Sequence, residues 1–154
     1  MMNNYRIERV VLDDLERLIP LFDEYRVFYR AASDREGARV FLADRLKLNE
    51  SVILMVVEGE GDEKRARGFT QLYPSFSSVT MERLWILNDL FVTTEIRGQG
   101  LGAMLLESAR DYAVSTNTKG LSLTTMTENV LAQRLYETHG YIRDDEFFTY
   151  NLFF

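Results

Sequence analysis

Chemistry is concentrated in the stretch from Leu87 to Ala103, a β-rich run, a glycine-dense turn and the start of an amphipathic helical pattern. Gly98, Gly100 and Gly102 fall within five residues. The first N–H groups of a helix have no partner inside it, and glycines let successive amides turn toward one centre. Such a loop can hold a phosphate through its backbone, with the helix dipole assisting. Arg97 adds a fixed positive charge beside it. The plain alternative is a strand-to-helix turn that uses glycine for conformation alone. A nucleoside triphosphatase loop ending in Gly-Lys-Ser/Thr is absent. The dinucleotide fingerprint is formally met by Gly98-x-Gly100-x-x-Ala103, but it needs an acid at the end of the next strand. Residues 120–126 contain none, and Glu128 arrives only after them.

Composition narrows the remaining chemistry. Eighteen Lys and Arg against 24 Asp and Glu give a net charge of −6, and the 154 residues include no Cys and one His. Disulfides, thiolate zinc sites, iron–sulfur clusters and a cysteine nucleophile are therefore excluded, and no His-rich metal site can form. The acidic balance argues against a broad nucleic-acid surface and suits a small cationic partner. The longest aliphatic run, Val52 to Val57, is far shorter than a membrane span, and the first six residues hold no apolar signal core. A cytoplasmic protein without membrane partners is expected. Its length fits a single domain over residues 1–154.

The elements that must position the loop follow in order. Residues 5–10 read as a strand. Asp13 with Glu16 reads as a capping-box start to a helix carrying Leu15, Leu18, Ile19, Phe22, Tyr25 and Tyr29, which Pro20 should kink or split. Ser33 with Glu36 opens a second helix to about Lys47. Residues 51–58 and 66–73 form an antiparallel hairpin whose end Pro74 should loosen. A strand over 84–92, a helix from Gly100 to about Ser115, a strand over 120–126, a helix over 130–138 closed by Gly140, and a strand over 147–154 complete the chain. The order β-α-α-β-β-β-α-β-α-β implies an α/β (α+β) fold, a mixed, mostly antiparallel sheet flanked by helices.

Two motifs together resemble a known family. Arg97-x-x-Gly100-x-Gly102 is similar to the acetyl-CoA pyrophosphate loop of the GCN5-related N-acetyltransferases (GNAT). Asn129-x-x-Ala132-x-x-Leu135-Tyr136-x-x-x-Gly140-Tyr141 is similar to that family's second signature, about 30 residues on. The element order matches the family from residue 5 to residue 154. The resemblance implies that strands 84–92 and 121–126 diverge to hold acetyl-CoA. Amides of Gly98, Gln99, Gly100, Leu101, Gly102 and Ala103 would bind its pyrophosphate. The main chain of Leu90, Phe91 and Val92 would pair with the pantetheine as an added strand, and Asn129 would anchor that arm. Tyr136 falls on the family's usual general acid, and a phenol of pKa about 10 is suited to protonating a thiolate of similar basicity.

The implied activity is direct acetyl transfer to a primary amine, with no metal. Around residues 87–92 the chain resembles the polyamine-acetylating members, which commonly carry Glu where Asn88 stands, followed by Asp at Asp89. Asp89 is the expected base or amine-orienting anion, with a water relay as the alternative. On a regular strand Asn88 and Asp89 point to opposite faces, so both can line one side only across a bulge. Tyr25, Phe28 and Tyr29 lead into the joint of the first two helices, which in the family lies over the acceptor cleft. An aromatic, acidic cleft suits a cationic amine. His139 is expected to cap its helix. The aromatic strand 147–154 should be buried in the sheet or paired with a second subunit, giving a homodimer. A non-catalytic acyl-CoA-binding module on the same fold is the alternative that Asn88 leaves open.

Overall fold

The computed structural model describes residues 4–154. They form two compact units, divided between Thr124 and Thr125. The first contains β1 (Tyr5–Arg9), α1 (Leu15–Phe28), α2 (Arg35–Lys47), β2 (Val52–Glu58), β3 (Arg65–Ser77), β4 (Glu82–Val92), α3 (Leu101–Ser115) and β5 (Leu121–Ser122). The sheet runs β1-β2-β3-β4-β5, antiparallel except for the parallel β4–β5 pair. This is the expected mixed α/β fold. Among the described residues, no helix is long and apolar enough to cross a membrane.

Strand β2 is apolar without alternation because both of its faces are covered. On one face Ile53, Met55, Val57, Phe69 and Phe91 pack against Leu18, Ile19, Phe22 and Leu42 of the first two helices. On the other, Val56 and the flanking Leu90 and Val92 meet Leu101 and Leu105 of α3. Helix α3 sits close to the sheet at Gly68. A Cβ there would lie 3.0 Å from the Phe91 carbonyl oxygen and 3.4 Å from the Leu105 side chain.

Several helix and strand boundaries differ from the sequence expectations for local reasons. Asp14, not Asp13, ties the first helix start, its carboxylate accepting the Val11 N–H at 2.9 Å. Pro20 does not split α1, which is preceded by a short 3-10 turn and runs unbroken to Phe28. The cap of α2 is Asp34, which accepts the Gly37 N–H at 2.8 Å, while Ser33 turns away to donate to Asp23. Strand β3 continues through Pro74, which faces Trp85 of β4. The Trp85 N–H bonds to the Gly120 carbonyl on the opposite side, so the ladder needs no donor from Pro74.

The strand expected over 120–126 is reduced to Leu121 and Ser122, paired with Trp85 and Ile86. Its ladder stops two residues before an irregularity in β4, described below. The second unit contains α4 (Val130–Thr138), whose start is capped by the Asn129 side chain accepting the Ala132 N–H at 3.2 Å. At its end His139 Nδ1 donates to the Leu135 carbonyl at 2.8 Å, and Gly140 has φ of 90°, so His139 is engaged as expected in ending the helix. Residues 147–154 form no strand. A carboxylate turn at Asp144 takes the Glu146 and Phe147 N–H groups, and β-favouring side chains make a strand only where a partner edge is offered.

Asp23 joins the first two helices. Its carboxylate accepts the Ser33 hydroxyl at 2.7 Å and the Asp34 N–H at 2.8 Å. The Ser33 hydrogen bond, followed by that from the Asp34 backbone, holds its carboxyl below the usual carboxylate range. A depressed folded-state pKa contributes stability that is full above the unfolded value and is lost as pH falls through the folded one. Asp23→Asn is therefore expected to be about 1–3 kcal/mol less stable at pH 7. Its stability should also fall less steeply than that of the parent as pH drops below about 4, the ordinary carboxylate value. Urea unfolding across that range checks this, and parallel acid limbs for the two proteins would contradict it.

Candidate active site

The glycine loop begins after a 3-10 turn at Thr94–Ile96 and ends at the N-terminus of α3. Gly98 and Gly100 have φ of 81° and 76°, conformations in which a side chain is strained, and Gly100 is the residue from which α3 starts. The first helical bond in this region runs from the Met104 N–H to the Gly100 carbonyl at 3.1 Å. The amides of Leu101, Gly102 and Ala103 thus precede the hydrogen-bonded ladder of α3, at the positive end of its dipole. No acidic residue occupies that first turn. The Arg97 guanidinium lies over the rings of Phe28 and Phe91, at 5.4 and 5.2 Å from their centroids. The loop therefore has the donors, dipole and neighbouring cation that an anion needs.

Beside the loop, β4 has a backbone edge with no strand partner over residues 87–92 among the described residues. It shares a ladder with β5 only at Trp85 and Ile86, and from Leu87 to Val92 the two strands are unpaired. This is a place where an extended ligand can add as a strand. Leu90, Phe91 and Val92 form the part of that edge nearest the loop, with Leu90 and Val92 packed toward α3 and Phe91 toward α1.

The irregularity in β4 decides where Asp89 points. Leu72 pairs with Leu87, but Gln71 pairs with Asp89, so Asn88 is an extra, unpaired residue opposite the step between Gln71 and Leu72. Side chains alternate along a strand, and one inserted residue reverses the alternation beyond it. Asp89 is turned by this bulge from the α3 face to the α1 face. There it is 6% exposed and accepts three hydrogen bonds. The Tyr25 hydroxyl donates to Oδ1 at 2.7 Å, Gln71 Nε2 to Oδ2 at 2.8 Å, and Asn88 Nδ2 to Oδ1 at 3.2 Å. Thr70 fixes the main chain by donating to the Asp89 carbonyl at 2.8 Å. All three side-chain donors are neutral, so they stabilise the carboxylate without cancelling its charge. An anion held this way, in a low-dielectric setting, is a strong seat for a cation.

Aromatic rings enclose this seat. Tyr25 packs against Tyr29, Phe69 and Phe91 at 5.2, 5.4 and 5.6 Å between centroids, and Phe28 against Phe91 at 5.7 Å. Burial first, then the charge of Asp89, pushes the Tyr25 hydroxyl well above the usual phenol range, so it remains a donor. The same two causes push Tyr73 up to about 12, partly offset by Arg45.

Most of the residues singled out in the sequence therefore meet in the first unit: Asn88 and Asp89, the edge Leu90 to Val92, Arg97, the loop 98–103, and Tyr25 with Phe28 and Tyr29. Tyr25 differs in one respect, since its hydroxyl is committed to Asp89. Asn129 and Tyr136 belong to the second unit. There Asn129 Oδ1 is engaged in capping α4, and the Tyr136 ring lies 5.9 Å from that of Tyr141. Gln71 was not legible in the sequence as part of the site, because a lone glutamine in a β-rich run carries no signal. It is fully buried, and its amide orientation is fixed because a carboxylate only accepts. Gln71→Leu keeps the shape but leaves one buried oxygen of Asp89 without its donor. It is expected to cost about 1–3 kcal/mol in urea unfolding, and a change below 0.5 kcal/mol would show that the contact does not hold Asp89.

The chain matches the acetyltransferase (GNAT) family over residues 18–141. It is 48% identical to an uncharacterized N-acetyltransferase, YhfO, of Bacillus subtilis (strain 168), over 95% of each chain. Among solved structures it superposes on that of a probable acetyltransferase with a TM-score of 0.88 and 42% identity, covering 97% of both chains. An aminoglycoside N-acetyltransferase solved with CoA shares the fold at a TM-score of 0.79 and 14% identity, covering 99% of this chain and 97% of that one. The chain belongs to the acetyltransferase (GNAT) family and is an acetyltransferase of that type.

Proposed function

We propose that the protein moves an acetyl group from acetyl-CoA directly to the primary amine of a small cationic acceptor. The observation that carries this is the arrangement around β4. Its outer edge is open beside a phosphate-competent helix N-terminus, and its bulge turns Asp89 to the opposite, aromatic face. The fit to acetyl-CoA rests on those two features and on the CoA bound by the structural relative. Bound there, acetyl-CoA supplies an activated thioester.

The residues then have separable roles. The amides of Gly98, Gln99, Gly100, Leu101, Gly102 and Ala103 hold the pyrophosphate, with Arg97 as the accompanying cation. The main chain of Leu90, Phe91 and Val92 orients the pantetheine. On the acceptor side Asp89 orients the ammonium group between the rings of Tyr25, Phe28 and Tyr29, with Asn88 at the rim. An amine with pKa near 10 must shed a proton before it attacks, which costs about 4 kcal/mol at neutral pH. Asp89 lowers that cost by taking the proton or by passing it to water. Tyr136 gives a proton to the leaving thiolate. Most of the rate enhancement is positioning of two held reactants, since the chain has no cysteine to carry the acetyl group.

A second reading is a non-catalytic acyl-CoA-binding module. It is favoured by one observation: the Asn88 amide is spent on Asp89, where the resembling enzymes place a second carboxylate.

Thiol release from acetyl-CoA with spermidine as acceptor separates the two. Tyr136→Phe is expected to lower kcat by about 100-fold or more, with the acetyl-CoA Kd within twofold of the parent. Asp89→Asn should lower kcat/KM for the amine, and the loss should shrink as pH approaches the amine pKa. Parent-level turnover in Tyr136→Phe would remove that residue from the mechanism. Tight CoA binding by the parent with no turnover on any amine would favour the binding module.

A further inference from the structure

The five residues that lead into the glycine loop, Thr93 to Arg97, are gripped from three sides, and two of the grips come from α1, far away in sequence. Thr93 stands at the N-terminus of the 3-10 turn Thr94–Ile96, but its own side chain makes no capping bond. Instead its hydroxyl donates to the Glu24 carboxylate, at 3.0 and 3.1 Å to the two oxygens. Glu24 Oε1 also accepts the Thr94 N–H at 3.1 Å and the Thr94 hydroxyl at 3.3 Å. The cap of this turn is thus supplied by α1.

The other grips complete the clamp. Buried Arg67 of β3 pairs with Glu95 at 3.2 Å and with Glu58 at 3.3 Å, and its carbonyl accepts the Thr93 N–H at 2.9 Å. Phe28 lies four residues beyond Glu24, on the same face of α1, and carries the Arg97 guanidinium. Only Gly98, Gln99 and Gly100 then lie between the clamped turn and the start of α3. Glycines lose more freedom than other residues when ordered, so fixing the chain just before them reduces what a ligand must order on binding.

We propose that Glu24 is a positioning residue for the cofactor: by capping the turn at Thr93 and Thr94 from α1, it pre-organises the glycine loop for acetyl-CoA. The proposal rests on the reading of the loop as the acetyl-CoA site. Glu24 touches neither the acceptor seat nor the reacting atoms. It therefore acts on affinity, equally in the ground and transition states, which raises KM without lowering kcat when lost.

The test is isothermal titration with acetyl-CoA and steady-state kinetics on the intact protein. Glu24→Ala should raise the acetyl-CoA Kd and KM about tenfold while kcat at saturation stays within about twofold. Glu24→Gln keeps an oxygen for the Thr94 N–H and should recover most of the affinity. Thr93→Val removes the hydroxyl from the loop side with little change of volume and should raise KM about threefold, which keeps the test available should Glu24→Ala not fold. An unchanged acetyl-CoA Kd in Glu24→Ala and Thr93→Val, or a fall in kcat at unchanged KM, would overturn the role. Failure of the parent to bind acetyl-CoA would instead overturn the functional reading on which it rests.

Discussion

One extra residue in β4 sets up the site. With Asn88 left out of the ladder, the alternation of side chains reverses between Leu87 and Asp89. A carboxylate that would otherwise meet the α3 face is delivered to the aromatic face of α1. The same distortion lies two residues beyond the last pair between β4 and β5, and past it the edge of β4 is unpaired. A bulge increases local twist and bends its strand, which parts two neighbours that would otherwise continue side by side. The buried carboxylate on one face and the free strand edge on the other side of the bulge thus have a common physical origin. Gln71, Tyr25 and Thr70 then hold the turned residue in place through both its side chain and its carbonyl.

Helix α1 links the two halves of the site within the first unit. Its buried stripe, Leu18, Ile19 and Phe22, docks it on the sheet. Its last turns then present Glu24 and Phe28 to the turn before the glycine loop, and Tyr25 to Asp89. Neither contact is possible unless the helix is continuous through Pro20, and it is. Pro20 is the sixth residue of α1 and costs it one bond, to the Glu16 carbonyl, but the buried stripe packed on the sheet holds the helix through that loss.

Local signals in the sequence carried most of the fold and the glycine loop that ends on α3. Glycine spacing identified the loop, because the backbone conformations at Gly98 and Gly100 demand that residue type. The helical spacing of apolar residues in α1 and the β-rich runs of the hairpin were legible in the same local way, whereas the burial of β2 on both faces shows only in the packing. What escaped were features set by partners distant in the chain. Gln71, Tyr73 and Glu24 matter through residues 16 to 70 positions away, and no spacing rule links them. Strand ends at β5 and over 147–154 were misjudged because side chains report a preference for extended backbone, whereas the ladder depends on the edge offered to it. The bulge itself was visible only as a condition: Asn88 and Asp89 could share a side only if one was present.

The most direct measurement is isothermal titration of the purified protein with acetyl-CoA, followed by thiol release in the same samples on adding spermidine, lysine peptides and aminoglycosides. One binding site with a Kd on the order of micromolar, and thiol release that appears only when an amine is added, is the expected result. Absence of acetyl-CoA binding would contradict the assignment of the glycine loop and the open edge of β4 as the cofactor site.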